Sequence, residues 1–117
     1  MSHFETIFLE DADEFIFTLD DKTRKKIFYN IRLAEQTNDP ELFKKLKDEI
    51  WEFRALFAKK QVRLLAFWDK TDKVNTLVLA TSGFIKKTQK IPVNEIEKAK
   101  QIRARYFEEK EKDNKKR

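Results

Sequence analysis

Apolar and polar positions alternate most regularly between Ile50 and Pro92. Three runs there, Ile50–Phe57, Val62–Trp68 and Val74–Phe84, are rich in β-branched and aromatic residues and predict consecutive antiparallel strands. The polar stretches 58–61 and 69–73 between them are of hairpin length. In the first run Trp51, Phe53, Ala55 and Phe57 share one face and Glu52 and Arg54 the other. In the second, Arg63 is opposite in parity to Val62, Leu64, Ala66 and Trp68.

The flanking sequence reads mostly as helix. Phe4–Leu9 alternates weakly and is expected to join the sheet as a fourth strand. Asp11–Leu19 begins a helix, and Asp20 or Asp21 caps the next one. Over Thr23–Gln36, Ile27, Phe28, Ile31, Leu33 and Ala34 fall at helical spacing. Asn38-Asp39-Pro40 reads as a turn and helix start, giving a short helix over Pro40–Leu46 with Leu42, Phe43 and Leu46 inward. A last helix opens at Val93 or Asn94, with Ile96, Ala99, Ile102 or Arg103, and Tyr106 or Phe107 on its inner stripe. From Glu108 to Arg117 no residue is apolar, which reads as a frayed helix end or a disordered tail.

The expected fold is therefore α+β. An antiparallel sheet of about four strands carries two N-terminal helices and the C-terminal helix on one face, and its other face stays partly polar and open. The chain of 117 residues suits one domain, 1–110, with 111–117 as a charged tail.

Composition narrows the chemistry. The absence of cysteine excludes a disulfide framework, a thiolate zinc site and a cysteine nucleophile, and fits a reducing cytoplasm. The acidic start lacks the basic region of a signal peptide, and no apolar run approaches the ~20 residues of a membrane helix. A single glycine excludes Gly-rich phosphate loops. The one histidine, His3, is terminal, and no spacing suggests a metal site, so no metal or other cofactor is expected. The net charge of +5, with the excess Lys and Arg in the second half, points to a polyanion. The basic residues of the second helix are either its solvated face or an RNA contact.

An arginine inside an apolar strand is costly unless it reaches water or a partner. Arg54 and Arg63 place this on adjacent strands, and Lys86, Lys87 and Lys90 follow the third. Arginine grips phosphate bidentately and lysine acts as a point charge. Cleaving RNA by its own 2′-hydroxyl needs that hydroxyl deprotonated, the pentacovalent phosphate stabilised and the 5′-oxygen protonated; a cation cluster does the second well. The same surface also fits a protein that binds nucleic acid without cutting it.

WEFR at 51–54, the arginine of QVRLLAFW at 61–68 and GFIKKTQKIP at 83–92 resemble the HigB-like, phage-derived branch of the RelE toxin superfamily. That branch carries W-E-L-R, then Y-R-x-x-Y-F, then G-F-x-K-K-T-x-K-T-P and a helix opening E-I-x-x-A. Here the helix supplies Glu95, Ile96 and Ala99; Val62 stands where the pattern has tyrosine, and Ile91 where it has threonine. The resemblance implies a RelE-like fold and the toxin half of a type II toxin–antitoxin pair. Such toxins are ribosome-dependent mRNA endonucleases, held inactive by a helix-turn-helix antitoxin whose complex with the toxin represses operator DNA. Carried over, it implies catalytic roles for Arg54, Arg63, Lys86 and Lys87. Lys90, Lys59, Lys60 and Tyr106 are the expected RNA contacts; Tyr106 also fits the buried end of the last helix. The alternative is a non-catalytic nucleic-acid-binding or degenerate toxin-like module. Phe15, Phe17, Phe28 and Tyr29 on the early helices serve either the core or an antitoxin interface.

Overall fold

The computed structural model describes residues 3–71 and 77–115. In chain order the elements are β1 (Glu5–Phe8), α1 (Glu10–Thr18), α2 (Asp21–Gln36), β2 (Phe43–Lys47), β3 (Ile50–Phe57), β4 (Lys60–Asp69), β5 (Leu77–Lys86) and α3 (Val93–Lys115). The fold is α+β, as the hydrophobic pattern predicts. The first positions of the expected third strand, 74–76, lie outside the described residues, as do 116–117 of the expected tail.

The sheet has five strands in the order β1-β5-β4-β3-β2, not four. It is mixed rather than antiparallel: β1 runs parallel to β5, with Glu5 opposite Leu77, while the other neighbours are antiparallel. The extra strand is β2, which replaces the short helix expected over Pro40–Leu46. A register slip between Lys45 and Lys47 accounts for the helix-like pattern. It lets Phe43 enter one core and Leu46 the other, so the two apolar residues acquire helix-like spacing within a strand. The β2–β3 turn is Asp48-Glu49, both at positive φ (51° and 67°) as a two-residue hairpin requires.

Helices cover both faces, not one. Asp20 caps α2: the Thr23 hydroxyl and backbone N–H donate to its carboxylate at 2.6 and 3.2 Å, and these bonds hold its pKa down at about 2. α1 and α2 bury Ala12, Ile16, Ile27, Ile31 and Ala34 against Phe53, Ala55, Val62, Leu64 and Ala66. α3 lies on the opposite face, where Ile96 and Ala99 meet Ile50 and Leu65. The face that carries Arg54 and Arg63 also carries Ile50, Leu65 and Phe67, and these need a cover worth roughly 1.5–3 kcal/mol each. Further along α3, the Tyr106 and Phe107 rings pack 5.3 and 5.5 Å from Phe67.

α3 extends through the polar stretch that begins at Glu108 as far as Lys115. Its outer half is fastened by Asp69 at the end of β4, whose Oδ2 accepts from Tyr106 Oη and Lys110 Nζ, both at 2.6 Å. Gly83 has a packing reason of its own. A Cβ there would lie 2.2 Å from Cδ2 of Phe15, so α1 approaches β5 only because the side chain is missing.

Candidate nucleic-acid interface

On the α3 side of the sheet, α3 begins only at Val93 and leaves the β3–β4 hairpin end uncovered. There Arg54 and Arg63 sit directly opposite each other. Two like charges in that position repel unless an acid lies between them. Glu52 supplies it: its Oε1 is 2.8 Å from Arg63 Nε and 3.3 Å from Arg54 Nε. The Glu52 side chain is 2% exposed and its Oε2 is buried without a hydrogen-bond partner among the described residues.

The two arginines are not equivalent. The Arg63 side chain is 5% exposed, and its remaining nitrogens donate to the Val62 carbonyl (3.2 Å) and Gln61 Oε1 (3.0 Å). Burial pushes its guanidinium pKa down, Glu52 opposes that and Arg54 adds to it. The Arg54 side chain is 28% exposed, and its guanidinium donates no hydrogen bond among the described residues. Arg54 is therefore the more accessible of the two, and Arg63 is the buried partner of Glu52.

Arg54 faces a cleft of about 420 Å³ between β2, β5 and the first turn of α3. Lys44, Lys47, Lys86 and Lys90 also line it, and among the described residues its one carboxylate is Glu52. Arginine beside several lysines is the arrangement that binds a polyphosphate backbone. Among the described residues no three His, Asp or Glu groups come together as a metal site.

The remaining expected residues scatter. Lys87 is exposed just beyond β5, outside the cleft walls. Lys59 lies in the β3–β4 turn at φ 66°. Lys60 turns to the other face and pairs with Asp20 Oδ1 at 3.3 Å. Tyr106 is apart from the arginines: it bonds Asp69, six positions beyond Arg63 on β4, which is about 20 Å along the strand. Burial, then the bond to Asp69, pushes its phenol up to about 12. Lys44 and Lys47 carry no site signal while their segment reads as a helix. Reading FKKLK-DE-IWEF as strand, turn and strand brings them to the edge of the cleft. On the helices, Phe15 packs against the core, whereas Phe17 is 83% and Tyr29 61% exposed.

A comparison with curated proteins finds no match. The model of the family described as Phage derived protein Gp49-like (DUF891) matches residues 14–104, a span that holds Glu52, both arginines and Lys86, Lys87 and Lys90. Matched over well more than half its length, the chain belongs to the phage-derived Gp49-like family, a RelE/toxin-like family associated with the toxins of toxin–antitoxin systems.

Proposed function

We propose that this chain is the toxin of a type II toxin–antitoxin pair and acts as a ribosome-dependent mRNA endonuclease of the HigB-like kind. The observation that carries the reading is Arg54. Its guanidinium is held on one side by a buried carboxylate and faces a cleft with four lysines in its wall. In the proposed reaction the RNA 2′-oxygen bonds to phosphorus as the bond to the 5′-oxygen breaks. The 2′-proton goes to a base, and a proton reaches the leaving oxygen. Arg54 stabilises the charge that builds on the phosphoryl oxygens. Lys86 holds the backbone or lowers a neighbouring pKa, while Lys44, Lys47 and Lys90 steer the strand. Arg63 acts through Glu52 as a positioning residue. Lys87 and Lys59 are proposed as outer contacts to messenger or ribosomal RNA.

The partner proposed for the family's antitoxin role is a helix-turn-helix protein, which carries the complex to operator DNA. The exposed Phe17 and Tyr29 suit a protein interface. Among the described residues no helix is long and apolar enough to cross a membrane.

One observation favours a non-catalytic module instead: the only carboxylate lining the cleft among the described residues, Glu52, is taken up by two arginines. Induced expression in bacteria, with growth and mapped mRNA 5′ ends as readouts, separates the readings. Arrest with new mRNA ends, lost in Arg54→Ala at equal soluble protein, is the expected result. Normal growth without new ends would favour the binding module.

A further inference from the structure

Arg54 borders a second cavity that the proposed chemistry leaves unused. β2 stops pairing at Phe43, opposite Phe53, and its last hold on β3 is the Arg54 N–H donating to the Leu42 carbonyl at 2.9 Å. The edge of β3 beyond this point is open toward α2. Beside it lies a cavity of about 340 Å³, within the ~300–1,000 Å³ usual for ligand pockets. Its walls include Lys26 and Asn30 of α2, Glu41, Leu56 and Gln61, and Arg54 closes it on the cleft side.

The two hollows share Arg54 but differ in their other polar groups. The cleft adds four lysines and suits a phosphate chain. The edge cavity adds Lys26 and Arg63, one exposed carboxylate, two side-chain amides and an exposed leucine. Acceptors, donors and an apolar contact in one small cavity are what a splayed-out base of single-stranded RNA needs.

The polar groups are already oriented. Asn30, 6% exposed, donates through Nδ2 to the Arg54 carbonyl at 2.9 Å, which leaves its Oδ1 as an acceptor. Gln61 accepts from Arg63 Nη2 through Oε1 at 3.0 Å, which leaves its amide N–H groups to donate. The Glu41 carboxylate is exposed and makes no ion pair or hydrogen bond among the described residues, so it is available to a ligand at this cavity.

We propose that this edge cavity is a nucleobase subsite: it takes the base adjoining the phosphate that Arg54 holds, and Glu41 is its specificity-determining residue. The inference rests on the RNA reading given above. A carboxylate accepts best from two adjacent N–H donors, so the matched base is one with the edge that guanine presents.

Glu41→Gln gives a test whose sign separates the alternatives. Binding of short labelled single-stranded RNAs, all-uridine or with one guanine, is measured by fluorescence anisotropy at fixed salt, with inorganic polyphosphate as a competitor. Wild type, Glu41→Gln and Arg54→Ala are compared. The expected result is that Glu41→Gln weakens the guanine-containing RNA roughly tenfold. The same change leaves all-uridine RNA and polyphosphate bound no more weakly, because losing an acid only helps a polyanion. Arg54→Ala weakens all of them. If Glu41→Gln tightens every ligand alike while Arg54→Ala still weakens RNA, the subsite is overturned and the RNA-binding face stands. If wild type binds no RNA, or Arg54→Ala changes nothing, the RNA reading falls and the subsite with it.

Discussion

Arg54 and Arg63 stand directly opposite each other in the β3–β4 ladder, and a single oxygen of Glu52 lies within 3.3 Å of both. One pair of arginines therefore splits into an outward-facing group and a buried one. Breaking a buried ion pair by removing one partner costs about 3–5 kcal/mol. Glu52→Gln is expected to lose stability on that scale in urea unfolding, since it leaves Arg63 buried beside Arg54 without its counter-charge. Arg54→Ala is expected to lie within about 1 kcal/mol of wild type, as partly exposed ion pairs contribute little. Equal losses for the two variants would contradict the division of labour.

The Asp69 clamp at the far end of α3 gives two pH-dependent signatures. Burial raises the Asp69 pKa, but the hydrogen bonds from Lys110, Tyr106 and Thr71 outweigh it and hold the carboxyl well below the usual range. A depressed folded pKa means stability that is present above the unfolded value, about 3.9, and lost as pH falls below it. Asp69→Asn is therefore expected to be less stable than wild type at neutral pH, with the gap closing in acid. Chemical denaturation at pH 7 and at successively lower pH measures it.

Tyr106 shows the opposite sign. Its folded pKa is raised to about 12, first by burial and then by Asp69. Its contribution is complete below the unfolded value of about 10 and is lost as pH rises toward 12. In a Tyr29→Phe variant Tyr106 is the sole phenol. Phenolate absorbance in that variant should rise near pH 12, and Asp69→Asn should bring the midpoint down. A midpoint near 10 in both backgrounds would show that the clamp does not form.

Gly83→Ala places a methyl group 2.2 Å from the Phe15 ring. α1 must then shift off β5, a change expected to cost about 1–3 kcal/mol. Phe15→Leu combined with Gly83→Ala should recover part of the loss in thermal unfolding, because the leucine side chain can move aside.

Glu49 holds φ 67° in the β2–β3 turn, and its only ion pair among the described residues, to Lys45 at 3.4 Å, is exposed. A non-glycine residue in this region is strained by roughly 1–2 kcal/mol. Glu49→Gly is expected to stabilise the protein by about 0.5–1 kcal/mol, read as a higher urea midpoint with an unchanged slope.

The three-strand meander was legible because β3, β4 and β5 alternate cleanly enough to show both faces. β2 was not, because its register slip destroys the period of two, and Asp48-Glu49 lacks the glycine that marks such turns. The parallel pairing of β1 with β5 was hidden for a different reason: alternation says that a segment is a strand and never which strand it meets. The two-sided cover could have been read from Ile50, Leu65 and Phe67, which share parity with Arg54 and Arg63 and need a helix over them. At the site, Glu52 and Arg54 were visible as polar positions in an apolar strand. The burial of Arg63 was not, because its parity is that of Arg54 and only packing distinguishes them.

The pairing of Glu5 with Leu77 also sets an order of assembly. During synthesis β1, α1 and α2 are made long before the strands they pack on, so Ile16, Ile27 and Ile31 wait without a core. Such distant contacts form late and slowly. Lys86 joins Arg54 at the cleft only once β5 has been made, so a chain interrupted before β5 has neither a closed sheet nor a complete cationic cleft. The proposed activity thus requires synthesis to have passed β5, because no earlier segment supplies that strand or its Lys86.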